Sequence, residues 1–159
     1  MPIVYHKQFF EASVEECFNL ARSVDIHTKT TANTKERVVG GVTHGLLNEG
    51  DTVTWEATHF GIKQRLTAKV THMNKPTEFV DIMVKGAFSS FTHTHQFVEE
   101  KGGTIMIDTF EYKSPFGLIG RIADKLFLEK YMTRFIISRA KGLKAIVERN
   151  VQTVSSCLS

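Results

Sequence analysis

Cysteine and proline are scarce in this chain of 159 residues, which contains two cysteines and three prolines. Cys17 lies in a predicted helix and Cys157 lies near the C-terminus, so they form no spaced disulfide framework, and we expect a reducing, cytosolic setting. No apolar run approaches the ~18 residues of a membrane-spanning helix. The N-terminus lacks an apolar segment of signal-peptide length, which again indicates cytoplasmic localisation.

Several chemical signatures are also missing. No serine or cysteine stands in a Gly-x-Ser-x-Gly motif, and no glycine-rich loop is suited to cradling phosphate. The chain has neither His-Glu-x-x-His nor Cys-x-x-Cys. A net charge of +3 is mild and argues against a dedicated nucleic-acid-binding protein. The length suits one domain with a sizeable core.

What the sequence does contain is a clear order of strands and helices. Residues 2–12 have the composition of a strand, and Ser13 with Glu16 makes a capping-box pattern that begins a helix. Residues 24–31 can form a second short helix. About six antiparallel strands follow, beginning near residue 35 and ending near residue 113, with the last turns near residues 85–86 and 101–103.

After Pro115 the apolar residues change to a helical period. The predicted helix runs from Phe116 to about Asn150 and would be roughly 45–50 Å long. Gly142 is its only weak point. We assign residues 1–150 to one domain and expect residues 151–159 to form a frayed tail. The apolar face of this helix is formed by Ile119, Ile122, Leu126, Met132, Ile136, Ala140, Leu143 and Val147.

The same helix is basic, with eight cationic residues against three acidic ones. A basic face of this kind is usually a solvated surface, but it also favours transient contact with an anionic membrane surface. The cationic residues are Arg121, Lys125, Lys130, Arg134, Arg139, Lys141, Lys144 and Arg149, and the acidic ones are Asp124, Glu129 and Glu148.

This order of elements predicts an α+β protein. A long helix with one apolar face needs a surface to cover, and a strongly bent antiparallel sheet of six to seven strands provides one. A sheet wrapped around a helix often leaves an internal cavity that suits small molecules.

The chain resembles the SRPBCC superfamily, which includes START domains, birch-pollen-allergen-like proteins and polyketide cyclases. The resemblance covers nearly the whole chain and rests on residues 10–25, 50–61, 91–97 and 107–124. It implies the helix-grip fold and is closest to uncharacterised bacterial ligand-binding members. Members of the superfamily bind lipids, hormones, polyketides or aromatic compounds, and a few are cyclases or hydrolases, so the resemblance names no single activity.

The stretch Phe-Thr-His-Thr-His-Gln-Phe at residues 91–97 is the most informative local pattern. Strand side chains alternate between faces, so Phe91, His93, His95 and Phe97 share one face. A tight turn at residues 100–103 pairs positions that sum to 203, which places His95 opposite Asp108. We take this face as the inner one, because it carries the larger apolar groups.

Three interpretations of these histidines remain open. His95 and Asp108 can form a polar pair that anchors a ligand in the cavity, or they can act as acid and base in an enzyme of the cyclase or dehydratase type. A metal site would need a third ligand, for which His59 or Asp81 are the candidates, and we expect no metal. We also expect no cofactor.

The function favoured by the sequence is binding of a hydrophobic or amphipathic small molecule, of the lipid, polyketide or aromatic type. The orientation of Asp81 stays open, because the turn at residues 85–86 leaves its register undefined. The predicted cavity residues are Trp55, His59, Phe91, His93, His95, Phe97, Met106, Asp108, Phe110, Tyr112, Leu126 and Met132.

Overall fold

The computed structural model describes residues 1–157, which form a seven-stranded sheet and a long C-terminal helix. The strands are β1 (Ile3–Phe10), β2 (Arg37–Gly41), β3 (Thr52–His59), β4 (Ile62–Asn74), β5 (Glu78–Lys85), β6 (Ser90–Glu100) and β7 (Gly103–Lys113). The helices are α1 (Val14–Ala21), α2 (Val24–Thr30), α3 (Gly117–Ala123) and α4 (Glu129–Cys157), with a 3₁₀ turn at Ala32–Thr34 and a π-helical turn at Asp124–Leu128.

All seven strands belong to one antiparallel sheet in the order β1-β7-β6-β5-β4-β3-β2. The inner face of the sheet packs against α1, α2 and α4, which confirms the predicted helix-grip architecture. Within residues 1–157, no helix is long and apolar enough to cross a membrane.

Side-chain caps define where the two short helices begin. The Ser13 hydroxyl accepts a hydrogen bond from the Glu16 backbone N–H, which confirms the helix start predicted by the capping-box pattern. Ser23 plays the same role for α2 by accepting from the Ile26 N–H. A serine hydroxyl thus satisfies one backbone N–H at the start of each of the two helices.

The pairing of β6 with β7 follows the predicted register. His95 lies opposite Asp108, Phe97 opposite Met106, and every pair along the ladder sums to 203. On β6, residues 91, 93, 95 and 97 are buried, whereas residues 92 and 96 are exposed. The histidine-bearing face is therefore the inner one.

The interior divides into two apolar clusters along the sheet. The first contains Trp55, Phe91, Phe110 and Met132 and surrounds the beginning of α4. The second packs α1 and the later part of α4 against the sheet, and its members include Phe10, Phe18, Phe79, Phe97, Met106, Ala140, Leu143 and Val147. The histidines of β6 lie where the two clusters meet, since the His95 ring stacks on Phe79 of the second cluster at 4.2 Å and the His93 ring contacts Phe110 of the first at 5.3 Å.

The beginning of the C-terminal helix differs from the prediction. Ile119, Ile122 and Leu126 are exposed, so this part of the predicted apolar face is wrong, whereas the face from Met132 onward is buried. The π-helical turn at Asp124–Leu128 explains the difference, because its extra residue per turn rotates the preceding segment relative to α4. The step of six residues between Leu126 and Met132 is where the regular period is lost.

The end of the helix also differs. α4 continues to Cys157 and so passes the predicted boundary near Asn150, while residues 158–159 of the expected tail lie outside the described part of the chain. Gly142 does not interrupt α4. A β-carbon at this position would lie 3.3 Å from the Thr30 side chain, so the glycine permits the close approach of α2.

Candidate functional site

A cavity of about 380 Å³ lies between the sheet and the helices, within the first apolar cluster. Phe60, at the β3–β4 turn, and Phe116, before α3, belong to its wall and are also exposed, so the cavity opens between them. Its volume is in the range of sites for small organic molecules.

The wall of the cavity is apolar and aromatic over most of its area. The apolar wall residues include Trp55, Ala57, Leu66, Phe88, Phe91, Phe110, Leu128, Met132, Phe135 and Ile136. Four polar wall residues, His27, Asp81, His93 and Arg139, also border a smaller void of about 60 Å³ on the side away from the opening. We call this side the inner end and define it by these four residues and by Glu36, which contacts His27. The cavity thus offers a long apolar surface and one polar end.

Behind the inner end lies a buried cluster of two histidines and two aspartates. His93 Nε2 lies 3.1 Å from Asp108 Oδ1, and His95 Nε2 lies 3.2 Å from Asp81 Oδ1. His95 Nδ1 is 2.8 Å from the same Asp108 oxygen, a close charge contact that lies off the hydrogen-bonding direction. Asp108 therefore contacts both histidines, whereas Asp81 contacts only His95.

These contacts separate the charge states of the two histidines. Burial opposes the charged form of His95, but the carboxylates of Asp108 and Asp81 outweigh it and raise the pKa of His95. Burial and the neighbouring His95 together lower the pKa of His93 to about 4. Burial also opposes ionisation of Asp108, yet the two histidines hold the pKa of this carboxyl far below its usual range.

The proton positions at neutral pH follow from these shifts. The raised pKa of His95 favours its imidazolium form between the two carboxylates, whereas the lowered pKa of His93 leaves that ring neutral. Because ionised Asp108 can only accept, His93 must donate to it from Nε2. Its Nδ1 then carries a lone pair.

A second histidine–carboxylate contact stands at the inner end, between His27 of α2 and Glu36 just before β2. His27 Nε2 lies 2.9 Å from Glu36 Oε1, and the His27 ring stacks on Trp55 at 4.1 Å. Burial and the nearby Arg139 lower the pKa of His27, while His27 overcomes the effect of burial to lower the pKa of Glu36. Arg139 donates to the Ala21 carbonyl at 3.2 Å and has no ion-pair partner within 4 Å among residues 1–157.

Nearer the opening, His59 Nδ1 lies 2.5 Å from the Tyr131 hydroxyl. Burial lowers the pKa of His59 and raises the pKa of Tyr131. Both groups are therefore neutral near pH 7 and form a polar contact that joins β3 to α4 across the cavity wall.

The cluster also has the donor types of a metal site. Asp81, His93 and His95 each offer one ligand atom, and these atoms lie within 4.8 Å of one another. Two histidines and one carboxylate suit several divalent metals. Two features oppose a cation here, because the two carboxylates raise the pKa of His95 and so favour its protonated form, and because the positive charge of Arg139 acts on Asp81.

The structure places six of the twelve predicted residues on the cavity wall, namely Trp55, His59, Phe91, His93, Phe110 and Met132. The other six do not line it. Leu126 is exposed, because the π-helical turn rotates it outward, and Leu128 takes its place. Phe97 and Met106 belong to the second apolar cluster, and Tyr112 is buried against Phe88.

His95 and Asp108 also lie outside the wall of the large cavity. They lie behind this wall. His95 borders two smaller voids of about 60 and 10 Å³, and Asp108 borders the smaller of the two. The orientation of Asp81, which the sequence left open, is inward. The Asp81 side chain is 19% exposed and contacts His95.

Sequence reasoning missed His27, Glu36 and Arg139. Arg139 had a usable signal, because it stands three residues after Ile136 and four before Leu143, on the face that the apolar period marked as inward. His27 and Glu36 had none, because their contact depends on how α2 meets the edge strand β2.

Comparison with known proteins identifies the fold. No protein-family model matches the chain, and no curated protein is significantly similar to it. The crystal structure of TTHA0849 from Thermus thermophilus matches with a TM-score of 0.77 at 21% identity, over 94% of this chain and 99% of that one. The ginseng major latex-like protein 151 from Panax ginseng matches with a TM-score of 0.66 at 10% identity, over 90% and 95%.

Ara h 8.0201 matches with a TM-score of 0.65 at 10% identity, over 92% of this chain and 97% of that protein. At such identities the likeness shows the fold alone. The helix-grip fold that the resemblance implied is therefore confirmed.

We expect His95 and Asp108 to be energetically coupled. Each of the variants His95→Gln and Asp108→Asn should lower the free energy of unfolding by about 1–3 kcal/mol, because each leaves a buried polar partner unsatisfied. The double variant should lose less than the sum, by about 1 kcal/mol or more. Denaturant unfolding of the four proteins measures this. Asp81→Asn is the matched control and should be milder, because Asp81 contacts one histidine; strict additivity would refute the coupling.

We expect stability to fall as the pH drops from about 6.5 to 4.5. In this range the unfolded chain protonates His93 while the folded protein, with its pKa of about 4, does not, so the unfolded state binds more protons. The raised pKa of His95 has the opposite effect, because it stabilises the folded protein as the pH falls. This stabilisation is already complete below about pH 6.5, so it does not change further within the window.

Urea unfolding at several pH values measures this dependence. The variant His93→Gln should reduce the loss of stability across the window by roughly 2 kcal/mol. Thr92→Gln is the control, because it changes an exposed residue of the same strand without removing an ionisable group, and it should leave the wild-type slope unchanged. An unaltered slope in His93→Gln would contradict the assigned neutral state of His93.

The absence of a metal stays a prediction. After purification without chelators, elemental analysis should find far less than one equivalent of zinc, and EDTA should leave the melting temperature unchanged. Stoichiometric zinc that disappears in His93→Ala would overturn this expectation.

Proposed function

We propose that the protein binds a hydrophobic or amphipathic small molecule in the cavity between the sheet and α4. The observation that carries the proposal is the combination of a largely apolar, aromatic wall with a cluster of hydrogen-bonding groups at the inner end. A molecule with an apolar body and a single polar group matches this division. The helix-grip fold of the solved relatives agrees with such a role.

The charges at the inner end favour a ligand whose polar group is neutral. Arg139 contributes a positive charge there, while Asp81 and Glu36 are anionic, so a charged ligand group of either sign would meet a like charge. A hydroxyl or carbonyl group can exchange hydrogen bonds with neutral His93 without moving a full charge out of water. The proposed class is therefore a lipid-like, polyketide-like or aromatic molecule with such a group.

The enzymatic alternative is carried by His93. The acid/base roles first considered for His95 and Asp108 do not fit well, because both lie behind the cavity wall. His93 lines the cavity, is neutral, and is held by a carboxylate through one ring nitrogen, as a general base would be. Native mass spectrometry separates the proposals: a retained ligand released unchanged supports binding, and a mixture of substrate and product supports catalysis.

Occupancy of the cavity can be tested with the neutral fluorescent probe N-phenyl-1-naphthylamine. Trp55 is the only tryptophan in the chain and lies on the cavity wall, so probe binding should quench its emission by energy transfer. Ala57→Phe adds a ring to the wall and should weaken probe binding about tenfold or more while the protein stays folded, as checked by circular dichroism.

Ala145→Phe is the matched control, because it makes the same chemical change on the exposed face of α4. It should bind the probe as the wild-type protein does. Equal probe affinity in a folded Ala57→Phe variant would show that the cavity is not the binding site.

A further inference from the structure

The segment around the cavity opening presents large apolar side chains to solvent. We call this set the portal patch. It comprises Phe60 and Ile62 at the β3–β4 turn and Phe116, Leu118, Ile119, Ile122, Leu126 and Phe127 from the start of the C-terminal helix. Each is more than half exposed, with Phe116 at 83%. Exposed apolar surface of this extent is unusual on a protein that works alone in water.

The polarity of α3 is reversed relative to an ordinary surface helix. Leu118, Ile119 and Ile122 lie within an arc of about 100° and face solvent. The opposite side is formed by Gly120 and Asp124, which are buried, and Asp124 accepts a hydrogen bond from Ser114. The helix is thus fixed to the end of β7 by its polar side and exposes its apolar side.

Two phenylalanines of the portal patch that border the opening have unusual backbone conformations. Phe60 and Phe116 have φ angles of 52° and 68°, which non-glycine residues seldom adopt, and both line the cavity. Phe60 also packs on Tyr131 of α4 at 4.5 Å. The patch therefore surrounds the entrance and is continuous with the cavity wall.

The exposed charges beside the patch are mostly positive, since Glu129 is the one exposed acidic residue within residues 114–130. Arg121, Lys125 and Lys130 are exposed and have no ion-pair partner among residues 1–157. Within residues 114–130 the acidic residues are Asp124, which is buried, and Glu129. A second copy of the chain would bring the same positive rim against this one, so electrostatic repulsion opposes self-association through the patch.

We propose that the portal patch docks the protein on an anionic lipid bilayer with the cavity opening toward the membrane. An apolar helix face flanked by basic residues is the arrangement that enters the interface between headgroups and acyl chains. The cations meet the negative headgroups while the apolar side chains leave water. Membrane docking does not depend on the proposed ligand-binding function. The further step, in which a ligand enters the cavity from the bilayer, does rest on the proposed function.

Sedimentation with lipid vesicles tests the proposal. The wild-type protein should bind vesicles with 30% phosphatidylglycerol in phosphatidylcholine, bind pure phosphatidylcholine at least tenfold more weakly, and lose affinity in high salt. Ile119→Gln/Ile122→Gln should weaken binding about tenfold or more. Arg121→Gln/Lys125→Gln should weaken binding to the anionic vesicles by roughly 30-fold.

Matched controls use residues outside the patch. Val84→Gln/Val98→Gln removes exposed apolar side chains from the sheet, and Arg134→Gln/Lys141→Gln removes exposed charges from α4. Both controls should bind within about twofold of the wild type. Equal binding by patch and control variants would overturn the proposal, as would a wild-type dimer in sedimentation velocity that the patch variant abolishes while vesicles fail to bind.

The two proposals fail separately. Quenching of Trp55 by the naphthylamine probe, measured on the same proteins without vesicles, reports the cavity alone, because Ile119 and Ile122 do not line it. Probe binding without vesicle binding would overturn docking only. Vesicle binding without probe binding would overturn the proposed function and leave docking standing.

Discussion

The buried carboxylate of Asp108 is the charge around which the closed end of the cavity is organised. A carboxylate in an apolar interior requires hydrogen bonds and a compensating charge. β6 supplies both, because His93 and His95 stand on the same face of that strand and both contact one Asp108 oxygen. Asp81 on β5 adds a second contact to His95, so three adjacent strands share one charge network.

This network also lies between the two apolar clusters, which differ in how tightly they are packed. On one side the second apolar cluster packs α1 and α4 tightly against the sheet, and on the other the first cluster leaves about 380 Å³ open. The side chain of His93 belongs to both the network and the cavity wall. A polar group in the cavity would therefore meet an imidazole that burial and the neighbouring His95 keep neutral and whose tautomer is set by Asp108 behind it. At the other end, the wall continues into the exposed apolar surface of the portal patch.

The sequence was sufficient for the fold and for the central pair, but not for the whole site. One tight turn sets the register of β6 and β7, so the contact between His95 and Asp108 could be predicted from position alone. Asp81 could not be placed, because the last paired residues of β5 and β6 are Ile82 and Thr92, and so long a connection around residues 85–86 sets no register that the sequence reveals. The exposed face of α3 was predicted to be inward. The prediction assumed a regular helical period along the chain, and the extra residue of the π-helical turn breaks that period.

Residues of the second cluster show a further limit of pattern reasoning. Phe97 and Met106 were assigned to the cavity because they share a face with His95, and they are indeed buried on that face. Alternation along a strand identifies the inner face, but it does not tell where along that face tight packing ends and the cavity begins. That boundary depends on how far α1 and α4 approach the sheet.

The most direct test of this account is the protonation state of the two histidines, measured by long-range ¹H–¹⁵N correlation spectra of ¹⁵N-histidine-labelled protein at pH 7. The account predicts nitrogen shifts of an imidazolium for His95, and of a neutral ring with its proton on Nε2 for His93. Assignment by His93→Gln and His95→Gln identifies the signals. A neutral His95 or a charged His93 at this pH would contradict the charge network on which the inner end of the cavity depends.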